Sequence, residues 1–370
     1  MHSSISSFER PGFVRRTASD RPGVAQPVPE RDVPDQPWHR IAIVALVLLV
    51  LLMAGWEAYW RDFGAVPGYY NDAAHWSAQR HRINRGEGGK TVLTGSSRVL
   101  FDVQLDVWEQ VTGERPIQLA LEGTSPLPVI EGLAEDPDFT GKLVVGVTPG
   151  LFFSGFTFRA NVFDYTRREG PSQRIGHWLS VHLIEPYFAF FDADFALGTV
   201  VLRQDWPARE GLHASINVRK LMVQQDPDRN AHLWRKVETD IAYRNWCRMI
   251  WSQYLDSLPP PMATPARKKA VIEAQVARAV AALAKLRARG VKVVFLRSPS
   301  VGDYYASEQK FFARGETWEP LLAATKAPGV HFDDYPQLQG YELPEWSHMT
   351  QADARRYTAQ LAPLLANALR

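Results

Sequence analysis

Residues 90–98 read KTVLTGSSR, a short β-branched run that stops at Gly95-Ser96-Ser97. From Val99 to Val111 the apolar residues return at helical spacing, so a strand passes through a tight turn into a helix. The pattern recurs downstream. Pro116 to Leu121 (PIQLAL) predicts a second strand, followed by Gly123-Thr124-Ser125-Pro126 and a helix to about Leu133. Lys142 to Val147 (KLVVGV) predicts a third. Further on, Thr264 has the character of an N-cap and Pro265 suits the first helical position. Ile272, Val276, Val280 and Leu283 follow on one stripe, and Gly290 closes that helix. Val291 to Arg297 (VKVVFLR) and Val330 to Asp333 are a fourth and a fifth strand, and Gln351 to Leu369 is an amphipathic helix. Short apolar strands alternating with helices predict an α/β fold: a doubly wound, three-layer, flavodoxin-like parallel sheet. Such sheets bind ligands at the carboxyl ends of their strands.

Two regions stand outside this rhythm. Residues 150–262 are rich in Trp, Phe, Tyr and Arg, with helical stretches near 175–191 and 232–258, and read as a helical insertion. Within it, Asp192-Ala193-Asp194 fits a loop or cap better than a metal pair. Nearer the start, Ile41 to Trp56 (IAIVALVLLVLLMAGW) carries no charge, and extension to Trp60 makes about 20 residues, enough for a ~30 Å hydrocarbon core. Trp38 on one side and Trp56, Tyr59 and Trp60 on the other fit interfacial aromatic belts. A transmembrane helix over 38–60 is therefore expected. It fits better than a cleaved leader, because some 40 polar residues precede it. Residues 1–37, rich in Pro, Ser, Arg and Asp, read as a disordered tail. The first 40 residues hold six Arg and five Asp/Glu, a weak positive-inside bias. The bulk of residues 61–370 nevertheless suggests a single-pass protein of the inner (plasma) membrane, with its C-terminal domain periplasmic or extracellular.

Composition narrows the chemistry. The 370 residues carry a net charge of +2, too little for a nucleic-acid footprint. One cysteine, Cys247, excludes an intrachain disulfide and a multi-cysteine metal site, and an aromatic helical setting makes it a buried small apolar residue. No metal or cofactor is implied. Asn84 to Thr91 (NRGEGGKT) begins with Asn where a phosphate-binding loop has Gly, and it precedes a strand instead of following one. His177 and His182 lack the i, i+4 spacing of a helical zinc pair.

The strand ends hold the chemistry. Ser97 lies at the first strand-to-helix turn, where a hydroxyl faces the pocket. Glu345-Trp346-Ser347-His348 immediately precedes the last helix. A carboxylate three residues before a histidine can bind one imidazole nitrogen and leave the other to take a proton from a serine.

In order and placement these blocks resemble the SGNH (GDSL-type) hydrolase superfamily, over about 90–150 and 264–370. The resemblance implies Ser97 as nucleophile in Gly95-Ser96-Ser97, with Ser in place of the family's Asp. It implies Gly123 as the oxyanion-hole glycine and His348 as general base, with Glu345 in place of the family's Asp. Asp333 and Asp334 are alternative carboxylates. The family's Gly-x-Asn-Asp block is here Gly146-Val147-Thr148-Pro149, so the Asn donor is absent and Thr148 would serve through its hydroxyl. Arg98, Arg297 and Trp346 are candidate substrate contacts, with ordinary ion pairs the plainer reading of the two arginines. Arg314 and Trp318 are read either as lining a glycan site or as packing. More closely, the tethered form resembles SGNH-like proteins working beside membrane-bound O-acyltransferases in exopolysaccharide O-acetylation or teichoic acid D-alanylation. The expectation is an O-acyltransferase or esterase that acts on a cell-envelope glycan with an acyl donor, beside such an acyltransferase. The alternatives are a degenerate SGNH-like domain that binds polysaccharide or scaffolds a membrane complex, and, more remotely, a phosphoryl-group enzyme requiring a metal.

Overall fold

The computed structural model describes residues 36–204 and 220–370, so the tail expected over 1–37 lies outside the described residues apart from its last two. Seven strands form among the described residues: β1 (Thr91–Thr94), β2 (Ile117–Gln118), β3 (Lys142–Gly146), β4 (Met222–Gln224), β5 (Ala231–Leu233), β6 (Lys292–Arg297) and β7 (Gly329–His331). Five of them make one sheet in the order β2-β1-β3-β6-β7, with every neighbouring pair parallel. The chain enters at β1 and places β2 on one side and β3 on the other. All five strands therefore end along the same edge, and the order reverses between β1 and β3, where an open α/β sheet leaves a crevice.

Side-chain alternation divides the core in two. Leu93, Val144, Val294 and Leu296 join one apolar cluster with Leu100, Trp108, Tyr357 and Leu361, while Val92, Leu143, Val145, Val293 and Phe295 join another with Ile130, Leu133, Leu283 and Leu286. Helices thus cover both faces of the sheet. The helix Pro265–Ala288 begins as expected, with the Thr264 hydroxyl accepting from the Arg267 amide at 3.3 Å. Its buried side is Ile272, Ala279, Ala282, Leu283 and Leu286, so Val280, expected on the inner stripe, is exposed. The helix expected over 99–111 is broken into Ser97–Asp102 and Leu105–Thr112. At the break the buried Gln104 side chain donates to the carbonyls of Phe101 and Ala231, and its amide to the Thr358 hydroxyl.

The insertion departs most from expectation. In place of one helix over 232–258 come the antiparallel hairpin β4–β5 and two helices, Arg235–Thr239 and Ile241–Ser252. Asp226-Pro227-Asp228-Arg229-Asn230 turns the hairpin with Arg229 at φ 68°, and Asp240 caps the second helix by accepting from the Tyr243 amide at 3.1 Å. Arg229 is fully buried and donates to the carbonyls of Gln118 at 3.1 Å and Ala120 at 2.9 Å. It thereby occupies acceptors along the outer side of β2, an edge strand that would otherwise be open to pairing. Burial pulls its guanidinium down to about 10. The helix expected over 175–191 is instead Pro171–Leu183. Asp192 acts as a cap, accepting from the Asp194 amide at 2.9 Å, and pairs with Lys220, while Asp194 pairs with Arg203 at 2.6 Å.

The apolar helix runs from Trp38 to Phe63, 26 residues, long and apolar enough to cross a membrane. The described residues divide between Met53 and Ala54 into separate compact units. The end of that helix therefore belongs to the folded domain, which begins before residue 61. Trp60, expected at an interfacial belt, is buried and stacks on Phe195 with ring centroids 4.5 Å apart.

β1 and β3 approach closely at their ends. A Cβ on Gly146 would lie 2.1 Å from a Val99 methyl, and one on Gly95 2.6 Å from the same methyl. Gly146→Ala is expected to cost about 1–3 kcal/mol by overpacking. In a double-mutant cycle followed by denaturant unfolding, Val99→Ala should make the pair less harmful than the sum of the single changes.

Candidate active site

β1 ends at Thr94, and Ser96, in extended conformation, caps the helix that Ser97 begins. The loop before the last helix, Gln351–Ala368, carries His348 to this point. His348 Nε2 lies 2.7 Å from Ser97 Oγ, and Nδ1 lies 2.9 Å from Glu345 Oε1. With a carboxylate at Nδ1, that nitrogen holds the proton, and Nε2 is left to accept from the serine.

Glu345 reaches the ring by folding back on its own loop. Its Oε1 also accepts the amides of His348 at 2.6 Å and Ser347 at 3.3 Å, and its Oε2 accepts the indole N–H of Trp251. The group is completely buried. Burial works against its charge, yet His348 and these donors outweigh it and hold the carboxyl below its ordinary range. The turn requires Trp346 at φ 74°, in the left-handed region. The Trp346 indole lies against Gly302, where a Cβ would sit 2.7 Å from the ring, and under the Arg248 guanidinium, 5.4 Å from the ring centroid. Arg248 also donates to the Pro344 carbonyl at 2.8 Å. Trp346, expected as a substrate contact, is thus occupied in bracing the loop. Asp333 and Asp334, the alternative carboxylates, are engaged elsewhere, with Tyr305 at 3.2 Å and Arg314 at 2.7 Å.

Around Ser97 the ends of β2 and β3 supply polar groups. Ser96 Oγ and Thr148 Oγ1 are 2.5 Å apart, so one hydroxyl donates to the other and the second proton of the pair stays available. Among the described residues, the amides of Ser97 and Gly123 find no acceptor. Gly123 has φ 59°, and its carbonyl accepts from the Phe158 amide at 3.2 Å, which joins this loop to the insertion.

Arg98 and Arg297, expected to reach an anionic ligand, are buried, and both are committed to Glu308. Arg98 lies 3.0 Å from that carboxylate and Arg297 2.6 Å. Burial opposes the charge on Glu308, but Arg297 and Arg98 keep its carboxyl below the usual range. Arg98 also donates to Ser347 Oγ at 3.2 Å, so the ion cluster fastens the histidine loop. Trp318 is buried in the core, and Arg314 pairs with Asp334 and Glu319. Cys247 is buried as expected, and burial pushes its thiol up to about 12.

Three contributors were not anticipated from sequence: Trp251, Glu308 and Asp102. Glu308 carries no local signature, and Trp251 lies in a separate insertion helix. Asp102 is the last residue of the Ser97 helix. It is completely buried, accepts from the Met349 amide at 3.0 Å, and has a second oxygen with no partner among the described residues. Next to it in the chain, Phe101 packs on the His348 ring, centroids 4.4 Å apart. Burial pushes the Asp102 carboxyl up to about 7, against the opposing pull of His348, the Met349 amide and Arg98.

Compared with family models, curated proteins and solved structures, the chain matches none.

The raised Asp102 value has a definite sign. The folded state holds this proton more tightly than the unfolded chain, so stability is lost as pH rises from about 4 toward about 7. Asp102→Asn removes that titration while leaving an acceptor for the Met349 amide. Denaturant unfolding at pH 4.5 and pH 8 (about the two ends of that window) should show the variant gaining on wild type at the higher value. A constant difference would contradict a raised Asp102.

Proposed function

We propose that this chain is a membrane-anchored, SGNH-like acyl-ester enzyme, an O-acyltransferase or esterase that works through an acyl-serine. The observation that carries this reading is the continuous hydrogen-bonded series Ser97–His348–Glu345 at the carboxyl edge of a parallel sheet. A doubly wound SGNH-type arrangement is the fold reading that suits the strand order. His348 Nε2 takes the Ser97 proton as Oγ attacks the acyl carbonyl, and Glu345 stabilises the imidazolium. The amides of Ser97 and Gly123 and the hydroxyl of Thr148 are the donors assigned to the developing oxyanion. His348 then gives its proton to the departing group. An acceptor hydroxyl, or water, gives its proton to His348 as its oxygen bonds to the acyl carbon, and His348 passes that proton to Ser97 Oγ as the acyl–serine bond breaks.

A cell-envelope glycan as acceptor, and a membrane-bound O-acyltransferase as the source of the acyl donor, follow from the family resemblance. The same resemblance, with the apolar helix read as a single span, supports a domain outside the cytoplasm. No cofactor enters this scheme. The scaffold alternative draws its support from Thr148 standing where the family has Asn.

Intact mass spectrometry of the full chain, after exposure to an activated acetyl ester, is the test. Wild type is expected to gain one acetyl group that Ser97→Ala lacks, whereas absence of the adduct from both would favour the scaffold. Thr148→Val should slow acylation by about 10²-fold, the usual cost of one oxyanion donor, as read from the rate of adduct formation. An unchanged rate would remove Thr148 from the oxyanion site.

A further inference from the structure

We infer that residues 175–202 of the insertion form an interfacial membrane-binding surface that seats in the headgroup and upper acyl region of the bilayer. This extends the reading of the Trp38–Phe63 helix as a membrane span and rests on it.

The helix Pro171–Leu183 buries only Val181. It docks on the domain through one side, with the His177 ring 5.1 Å from His75 and, at its end, Ser180 donating to Glu185 at 2.6 Å. Ile175, Trp178, Leu179 and Leu183 follow the i, i+3, i+4, i+8 pattern of a single stripe, and all four are exposed. Exposure continues beyond the helix, with Tyr187 61%, Leu197 67% and Leu202 83% exposed. Isolated apolar residues on a surface are ordinary. A run of large ones over one 28-residue segment marks a surface with a partner.

The attachment of this segment identifies the partner as lipid. Glu57 accepts the amides of Ala189 and Phe190, each at 3.0 Å, and Arg61 donates to the Tyr187 carbonyl at 3.1 Å. Residues 57 and 61 lie on the same continuous helix as the uncharged run Ile41–Trp56, only a turn or two beyond it. By chain connectivity alone, the Tyr187–Phe190 turn is therefore held where that helix leaves the hydrocarbon. Aromatic and aliphatic side chains at that level, on an amphipathic helix, partition into the interface. Of the interfacial aromatics expected on this side, Trp60 is buried and Tyr59 is exposed, and the exposed Tyr187 and Trp178 add to Tyr59. A surface seated this way fixes the height of the domain above the bilayer, which a flexible tether would not do.

Site-directed spin labelling of the full chain in phosphatidylethanolamine/phosphatidylglycerol vesicles tests this. Labels go on Leu183→Cys and Tyr187→Cys, with Leu48→Cys as the span reporter and Lys269→Cys as the aqueous reporter; the native Cys247 is buried. Collisions with oxygen, relative to a water-soluble nickel chelate, should be favoured several-fold more at 183 and 187 than at 269, and most strongly at 48. If 48 is in lipid while 183 and 187 match 269, the span stands and the interfacial surface is refuted. If 48 is itself aqueous, the span reading fails and the surface with it. Shielding of 183 and 187 from both reagents would mean a protein neighbour and would overturn the lipid assignment.

Discussion

A carboxylate with no access to water is the constraint on which the rest of the site depends. Glu345 is stable as an anion only because two loop amides, the His348 ring and the Trp251 indole all point at it. A buried charge lacking such donors would protonate or destabilise the fold. The same contacts that satisfy the charge fix the loop: Oε1 binds both the amide and the ring of His348, which leaves the imidazole little freedom to rotate. The orientation of His348 toward Ser97 is thus a by-product of solvating Glu345 with protein groups.

This gives the insertion a direct part in the site. Its helix Ile241–Ser252 supplies Trp251 to Glu345 and Arg248 to the Pro344 carbonyl, while its 156–158 segment is bonded to the loop after β2 through Gly123 and Ser125. The hairpin anchors the whole through Arg229 against the edge strand. A segment that interrupts the strand–helix rhythm therefore completes the polar surroundings that the sheet begins.

Near the Ser97–His348–Glu345 series lies a second buried electrostatic system. Glu308 faces both Arg98 and Arg297, leaving one positive charge in excess, and Asp102 sits on the same Ser97–Asp102 helix as Arg98. Through Glu308 the cluster ties the ends of β1 and β6 together: Arg98 follows β1 and also grips Ser347, and Arg297 ends β6 and shares Glu308 with Ser300. Losing one partner from such a cluster typically costs about 3–5 kcal/mol, because the remaining charge stays buried. The two arginines are accordingly devoted to holding the scaffold, which accounts for their distance from the ligand-binding role their strand-end positions suggested.

Much of this was legible in the chain. Five strands, the helices at 265 and 351, and the Ser97, Glu345 and His348 positions follow from local signals: β-branched runs, caps, glycines at turns, and a three-residue carboxylate–histidine spacing; Gly123 and Thr148 entered only through the family resemblance. Such signals are carried by neighbours in sequence, so they survive without knowledge of the fold. What remained hidden depends on residues far apart in the chain. Whether Glu345, Asp333 or Asp334 serves His348, whether Arg98 is free or neutralised, and whether Trp60 meets lipid or Phe195 are each decided by what tertiary packing brings alongside. The hairpin at β4–β5 was missed for a related reason, since its short strands are held by Arg229 and the β2 edge more than by their own periodicity. The sequence by itself determined the alternating α/β elements and the order of the polar residues at their ends. Only the tertiary structure decided which of those residues are buried and paired, because burial and charge compensation are properties of contacts that the linear chain does not contain.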